Sequence, residues 1–159
     1  MNYNLSPWSI DEVVYNWIIN NIPAKSIILE LGSGEATGLL SETYTMYSVE
    51  DKEIWVGKYN SNYIYAPLVN GWYDVEILKK SIPKNYDLFF IDGPEWERRG
   101  VLKHLDLFDL SKTILLDNLD RVNDMFIATE LSKITNRKLI VTDLKGGNKF
   151  GVILAGNSN

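Results

Sequence analysis

The 159 residues suit one domain, 1–159, and 45% hydrophobic content is enough to bury a core, while the absence of cysteine excludes disulfides, thiolate zinc sites and a cysteine nucleophile. A net charge of −5 argues against binding a phosphate backbone, which runs on clustered Lys and Arg; Lys133, Arg137, Lys138, Lys145 and Lys149 are too dispersed to form a stripe and read as solvated surface. With neither a basic apolar leader nor an apolar stretch near the roughly 20 residues that cross a bilayer, the expectation is a cytoplasmic protein that acts on a small molecule and not on nucleic acid or membrane.

In chain order, Ser6 and Pro7 read as the N-cap and first turn of an amphipathic helix carrying Trp8, Val13, Val14, Trp17 and Ile18, and Pro23 ends it. The run SIILEL, 26–31, is too short for a helix and is cut off by glycine, the pattern of a strand buried on both faces. Further strands are expected at 45–50, 63–67, 87–92, 113–117, 138–143 and 150–154, and helices at 39–43, 54–58, 75–81, 96–108 and 122–134. Such alternation implies a mostly parallel sheet with helices on both faces. Lys145-Gly146-Gly147-Asn148 reads as a hairpin loop, which makes the last strand antiparallel.

In open α/β sheets a ligand sits beyond the carboxyl ends of the strands, so the turn after the first strand is the first candidate site. It reads Glu30-Leu31-Gly32-Ser33-Gly34-Glu35-Ala36-Thr37. Gly32 and Gly34 let the backbone turn sharply and approach a ligand closely. Thr37 stands where dinucleotide enzymes carry a third glycine, which weakens a pyrophosphate reading. Glu30 at the strand end would repel a pyrophosphate and suits a cationic amino group. Glu50, with Asp51 beside it, follows Gly32 by about 18 residues at the end of the second strand, where this architecture puts an acid on ribose hydroxyls. The bland alternative for Glu50 is a solvated helix N-cap.

The Glu-x-Gly-x-Gly turn resembles the first motif of class I S-adenosylmethionine-dependent methyltransferases. TMYSVEDKEIWVGKY, Tyr65-Ala66-Pro67-Leu68, Trp72-Tyr73-Asp74 and YDLFFIDGP resemble a small O-methyltransferase-like branch, covering Glu30 to about Asn118. The resemblance implies an α/β, three-layer Rossmann-like methyltransferase fold with a mostly parallel seven-stranded sheet and an antiparallel last strand. It also implies S-adenosyl-L-methionine as cofactor, with Glu30, Gly32, Ser33 and Gly34 around the methionine part, Glu50 and Asp51 at the ribose, Ala66 and Pro67 near adenine, and Asp92 close by. Ala36 departs from the glycine frequent at that position, and no obvious acid follows the third strand.

Two further strand ends deliver Asp92 and Asp117-Asn118 to the same edge. Hard oxygen ligands of this kind suit Mg²⁺ or Ca²⁺, which could acidify an acceptor's hydroxyls, and the trio is similar to the ligand set of catechol-type O-methyltransferases. The alternative is structural: Asp92 caps a turn and Asp117-Asn118 caps the following helix. Asp92 and Glu95 are the candidate catalytic residues. His104, the sole histidine, is a weaker candidate base, and Trp72, Tyr73 and Trp96 are candidate walls of an aromatic pocket. The leading expectation is methyl transfer to an oxygen of a small hydroxylated molecule, a sugar or a phenol. A nicotinamide-dependent oxidoreductase and a non-catalytic binding or assembly module remain as rivals.

Overall fold

The apolar runs that read as strands become the centre of the sheet: β1 (Ile27–Leu31), β6 (Leu88–Ile91) and β7 (Thr113–Leu116) are buried almost throughout. The computed structural model describes residues 10–156. With β2 (Thr45–Glu50), β3 (Asn62–Tyr65), β8 (Leu139–Asp143) and β9 (Lys149–Ile153), these strands form one seven-stranded sheet in the order β3-β2-β1-β6-β7-β9-β8. All neighbours run parallel except β9, which is antiparallel to both β7 and β8. The expected architecture is therefore present. Strand order reverses between β1 and β6, which sets the crevice for a ligand.

Alternation along β1 divides the interior in two. Leu29 and Leu31 pack with α3 (Val75–Ser81) and α4 (Val122–Thr135) through Leu78, Ile127 and Leu131. Ile28 faces the other way, toward Val14 and Ile18 of α1 (Glu12–Asn21) and Leu40 of α2 (Glu35–Leu40). Helices on both faces make the three layers.

Local departures from expectation have identifiable causes. Asp11 caps α1, accepting from the Val13 N–H at 2.8 Å, so the helix begins at Glu12 and not at Ser6-Pro7, which lie outside the described residues. The helix expected at 39–43 starts earlier, because Thr37 caps Gly34 directly after the glycine turn. Span 54–58 yields only a 3₁₀ turn, Glu53–Trp55. Span 96–108 is not α-helical but two 3₁₀ segments, Arg98–Lys103 and Leu105–Leu107. A 3₁₀ turn stacks residues three apart, and it buries Arg98 and Val101 together. A hairpin of β4 (Leu68–Val69) and β5 (Trp72–Tyr73) was not expected, although its Asn70-Gly71 turn, with φ of 54° and 80°, is a strong hairpin signal.

The C-terminal cations do structural or solvated duty. Arg137 donates to the carbonyls of Leu110, Ser111, Lys112 and Leu154, while Lys133 pairs with Glu130 and Lys149 with Asp143. Among the described residues no helix is long and apolar enough to cross a membrane.

Candidate functional site

At the reversal point the turns after β1 and β6 touch. Gly32 has φ 83°, and a Cβ there would lie 3.0 Å from the Gly93 Cα, so only glycine allows this approach. Above the turns lies a cavity of about 250 Å³ lined by Gly32, Ser33, Glu50, Asp51, Asp92 and Arg98, among others. Gly34 beside it has extended backbone, and nothing lies within 4 Å of where its Cβ would be.

The two strand-end glutamates differ in role. Glu50 lines the cavity although it is only 3% exposed; its Oε2 accepts from the Ser33 N–H at 3.0 Å and hydroxyl at 2.5 Å, and its Oε1 from the Lys52 N–H at 2.9 Å. It thus ties the glycine turn to the end of β2 and is not a solvated cap. Burial, and then the charge of Glu50, push the neighbouring Asp51 carboxyl up.

Glu30 points instead into the α2 side of the sheet and does not line the cavity. It sits opposite Ser48 in the β1–β2 register and accepts from the Ser48 hydroxyl at 2.5 Å and the Thr37 hydroxyl at 2.6 Å. Burial pushes its carboxyl up to about 8, so at neutral pH it is a protonated acid. A relay results: the Gly34 N–H donates to Thr37 Oγ1 at 3.0 Å, and Thr37 donates to Glu30. The structure does not bring Glu30 to the cavity as a carboxylate against a cationic amino group: it shares the face of Ser48 and Glu50 but lies one strand step back from the edge, enclosed by Ser48 and Thr37. Ala66 is fully buried, and neither it nor Pro67 lines the cavity.

On the other half of the edge, Asp92, Asp117 and Asn118 do converge, but on a side chain that the sequence reading missed. Arg98 Nη2 donates to Asp92 Oδ1 at 2.9 Å and Asn118 Oδ1 at 3.1 Å. Its Nη1 donates to the Asp117 carbonyl at 3.1 Å and lies 3.4 Å from Asp124 Oδ2. The guanidinium occupies the place a divalent cation would need, so these oxygens do not fit a resident Mg²⁺ or Ca²⁺. Among the described residues no three His, Cys, Asp or Glu side chains are gathered to hold a metal ion. The capping alternative fails as well: Asp117 Oδ1 accepts from the Asn118 N–H, and α4 begins at Val122 with Arg121 at the N-cap position and no side-chain cap. Burial, followed by the charge of Asp92, pushes the Asp117 carboxyl up to about 7. The one available signal for Arg98 was an arginine shortly after the Asp92-Gly93-Pro94 turn.

The remaining candidates scatter. Glu95 is half exposed and pairs with Lys52 at 3.0 Å. His104 lines a different cavity, beside the β4–β5 hairpin. Trp72 and Tyr73 are core residues at 4% and 0% exposure, whereas Trp96 is 80% exposed.

No protein-family model matches the sequence, and no curated protein matches it in sequence. Solved structures share its fold at low identity. A methyltransferase from Pyrococcus furiosus superposes with a TM-score of 0.61 at 14% identity, over 91% of this chain and 82% of that one. A B. subtilis tRNA methyltransferase gives 0.59 at 13%, over 93% and 67%. A spermidine synthase, in complex with a transition state analogue, gives 0.55 at 13%, over 92% and 60%. The fold is thus that of class I methyltransferases.

Proposed function

We propose that this chain is an S-adenosylmethionine-dependent methyltransferase that methylates a hydroxyl oxygen of a small molecule, a sugar or a phenol. The observation that carries the reading is the convergence of the Gly32-Ser33 turn, Glu50 and Asp92 on one cavity at the reversal point of the sheet. A dinucleotide is disfavoured because the Gly34 N–H, a donor that a pyrophosphate would use, is already engaged by Thr37. The residues fit S-adenosylmethionine. Gly34 leaves room for it, Gly32 and Ser33 would offer backbone, and Glu50 and Asp51 would accept from ribose hydroxyls. When bound, that cofactor supplies a methyl group on a sulfonium that is already a good leaving group, so the protein's task is mainly alignment.

Asp92, held by Arg98, is the carboxylate positioned to orient the acceptor hydroxyl and take its proton. Glu95, paired with Lys52, also lines the cavity.

Calorimetry with S-adenosylhomocysteine and with NAD tests the reading: the first should bind and the second should not, and binding of NAD alone would overturn it. Gly34→Val should abolish S-adenosylhomocysteine binding with the fold intact, because the added side chain meets only the ligand's space. Glu50→Ala should weaken binding by about 1.5–3 kcal/mol, the worth of hydrogen bonds to a charged group. Normal affinity in both variants would move the cradle elsewhere.

A further inference from the structure

We infer that the cavity adjoining the cofactor site is the acceptor subsite and that it takes a small aromatic anion. The inference rests on the proposed methyl transfer only for calling this ligand an acceptor; the anion site stands on its own geometry. The cavity measures about 310 Å³ and shares Glu95, Arg98 and Arg121 with the cofactor cavity, and the shared Arg98 is hydrogen-bonded to Asp92.

Two features of the wall select an aromatic body. Trp96 and Val122 line it at 80% and 82% exposure, large apolar surfaces left to water. A flat ring laid on the indole would cover them, and aromatic contacts are strong enough to hold a small ligand.

Charge selects an anion. Arg121 lines both cavities, and its side chain has no hydrogen bond or ion pair among the described residues. Arg99 also lines the cavity and rests on the Phe126 ring, its Cζ 4.6 Å from the centroid, with no carboxylate partner. Two of the three acids in the cavity's lining are paired. Glu95 pairs with Lys52 and Asp124 with Arg98, and the Glu97 carboxyl lies toward Gly71 on the neighbouring cavity. Arg98, only 6% exposed, lines the cavity and keeps its Nε–H without a partner among the described residues. The fourteen-residue helix α4 starts at this wall with no side-chain cap, so its positive dipole end lies on the same side, although the Asp124 N–H is taken by the Arg121 carbonyl. A guanidinium fork suits carboxylate and phosphate alike. With Glu95 and Glu97 interrupting the basic groups, a long polyanion finds no stripe to follow.

The test is calorimetry with 3-hydroxybenzoate, phenyl phosphate and phenol, each titrated with and without saturating S-adenosylhomocysteine. One or both anions should bind at least tenfold tighter than phenol, and the better of them identifies the anionic group. Arg121→Gln should erase that preference, with S-adenosylhomocysteine absent as well as present. Trp96→Ala should weaken all three aromatic ligands severalfold. Equal affinity for phenol and the anions, or no binding of any, overturns the inference with the cofactor reading intact. If S-adenosylhomocysteine fails to bind wild type while the anions bind through Arg121, the methyltransferase reading falls and the anion site remains.

Discussion

The two halves of the sheet's carboxyl edge solve the same problem differently. On the β1–β2 side, Glu30 and Glu50 are buried and satisfied by hydroxyls and backbone N–H groups. On the β6–β7 side, Asp92, Asn118, the Asp117 carbonyl and Asp124 are all gathered by one buried arginine. Hydroxyl and N–H donors can be exchanged for those of a ligand, which suits a cofactor cradle. A guanidinium held by two carboxylates is a fixed cross-link, and it suits the side that must hold Asp92 still.

The largest effect that would sharpen this contrast is expected from Arg98→Met. Removing the cation leaves Asp124 buried without its partner and should cost about 3–5 kcal/mol in denaturant unfolding. Adding Asp124→Asn should recover part of that loss. A single variant as stable as wild type would show that the cross-link does not hold the β6–β7 side together.

On the β1–β2 side the expected signature is pH. The Glu30 carboxyl rises from 4.5 to about 8 on folding, so between those values the folded chain holds a proton that the unfolded chain has released. Its contribution is therefore fully present below pH 4.5 and is lost as pH rises toward 8, at ~1.4 kcal/mol per pH unit where the difference is one full proton. Asp117, raised to about 7, adds the same sign over a narrower range. Glu30→Gln keeps the neutral shape and should remove roughly half of this slope below pH 7, where Asp117 still titrates, and most of it between 7 and 8; an unaltered slope would contradict the burial argument.

The smallest expected effect concerns metal. Because Arg98 already neutralises the Asp92–Asn118 cluster, Mg²⁺, Ca²⁺ and chelator should each leave the melting temperature and S-adenosylhomocysteine affinity unchanged in wild type. A melting temperature raised by Mg²⁺ and lost in Asp117→Ala would revive the metal reading against the geometry.

Most of the sheet was legible in the amino-acid sequence because short apolar runs between glycines and turns have few other ways to be buried. The strand bounds at 45–50 and the helix at 75–81 agree with the structure to the residue. The glycine turn and Glu50 were legible for a similar reason: their spacing along one strand-turn-helix unit follows from local geometry. The span 96–108 was misread because its apolar spacing is compatible with a helix, while the burial of Arg98 and the contact of Gly100 with the Trp72 ring depend on distant residues.

The acids at the strand ends mark the same boundary. Sequence alone determined that Glu30, Glu50, Asp92 and Asp117 reach one edge of the sheet, since each follows or ends an apolar strand. Only the tertiary structure decided that Glu30 turns toward α2 as a neutral brace, that Glu50 faces the cavity, and that Arg98 stands where Asp92 and Asn118 suggested a metal. Those outcomes depend on which partner arrives from elsewhere in the chain, and one strand's residue pattern does not contain that partner.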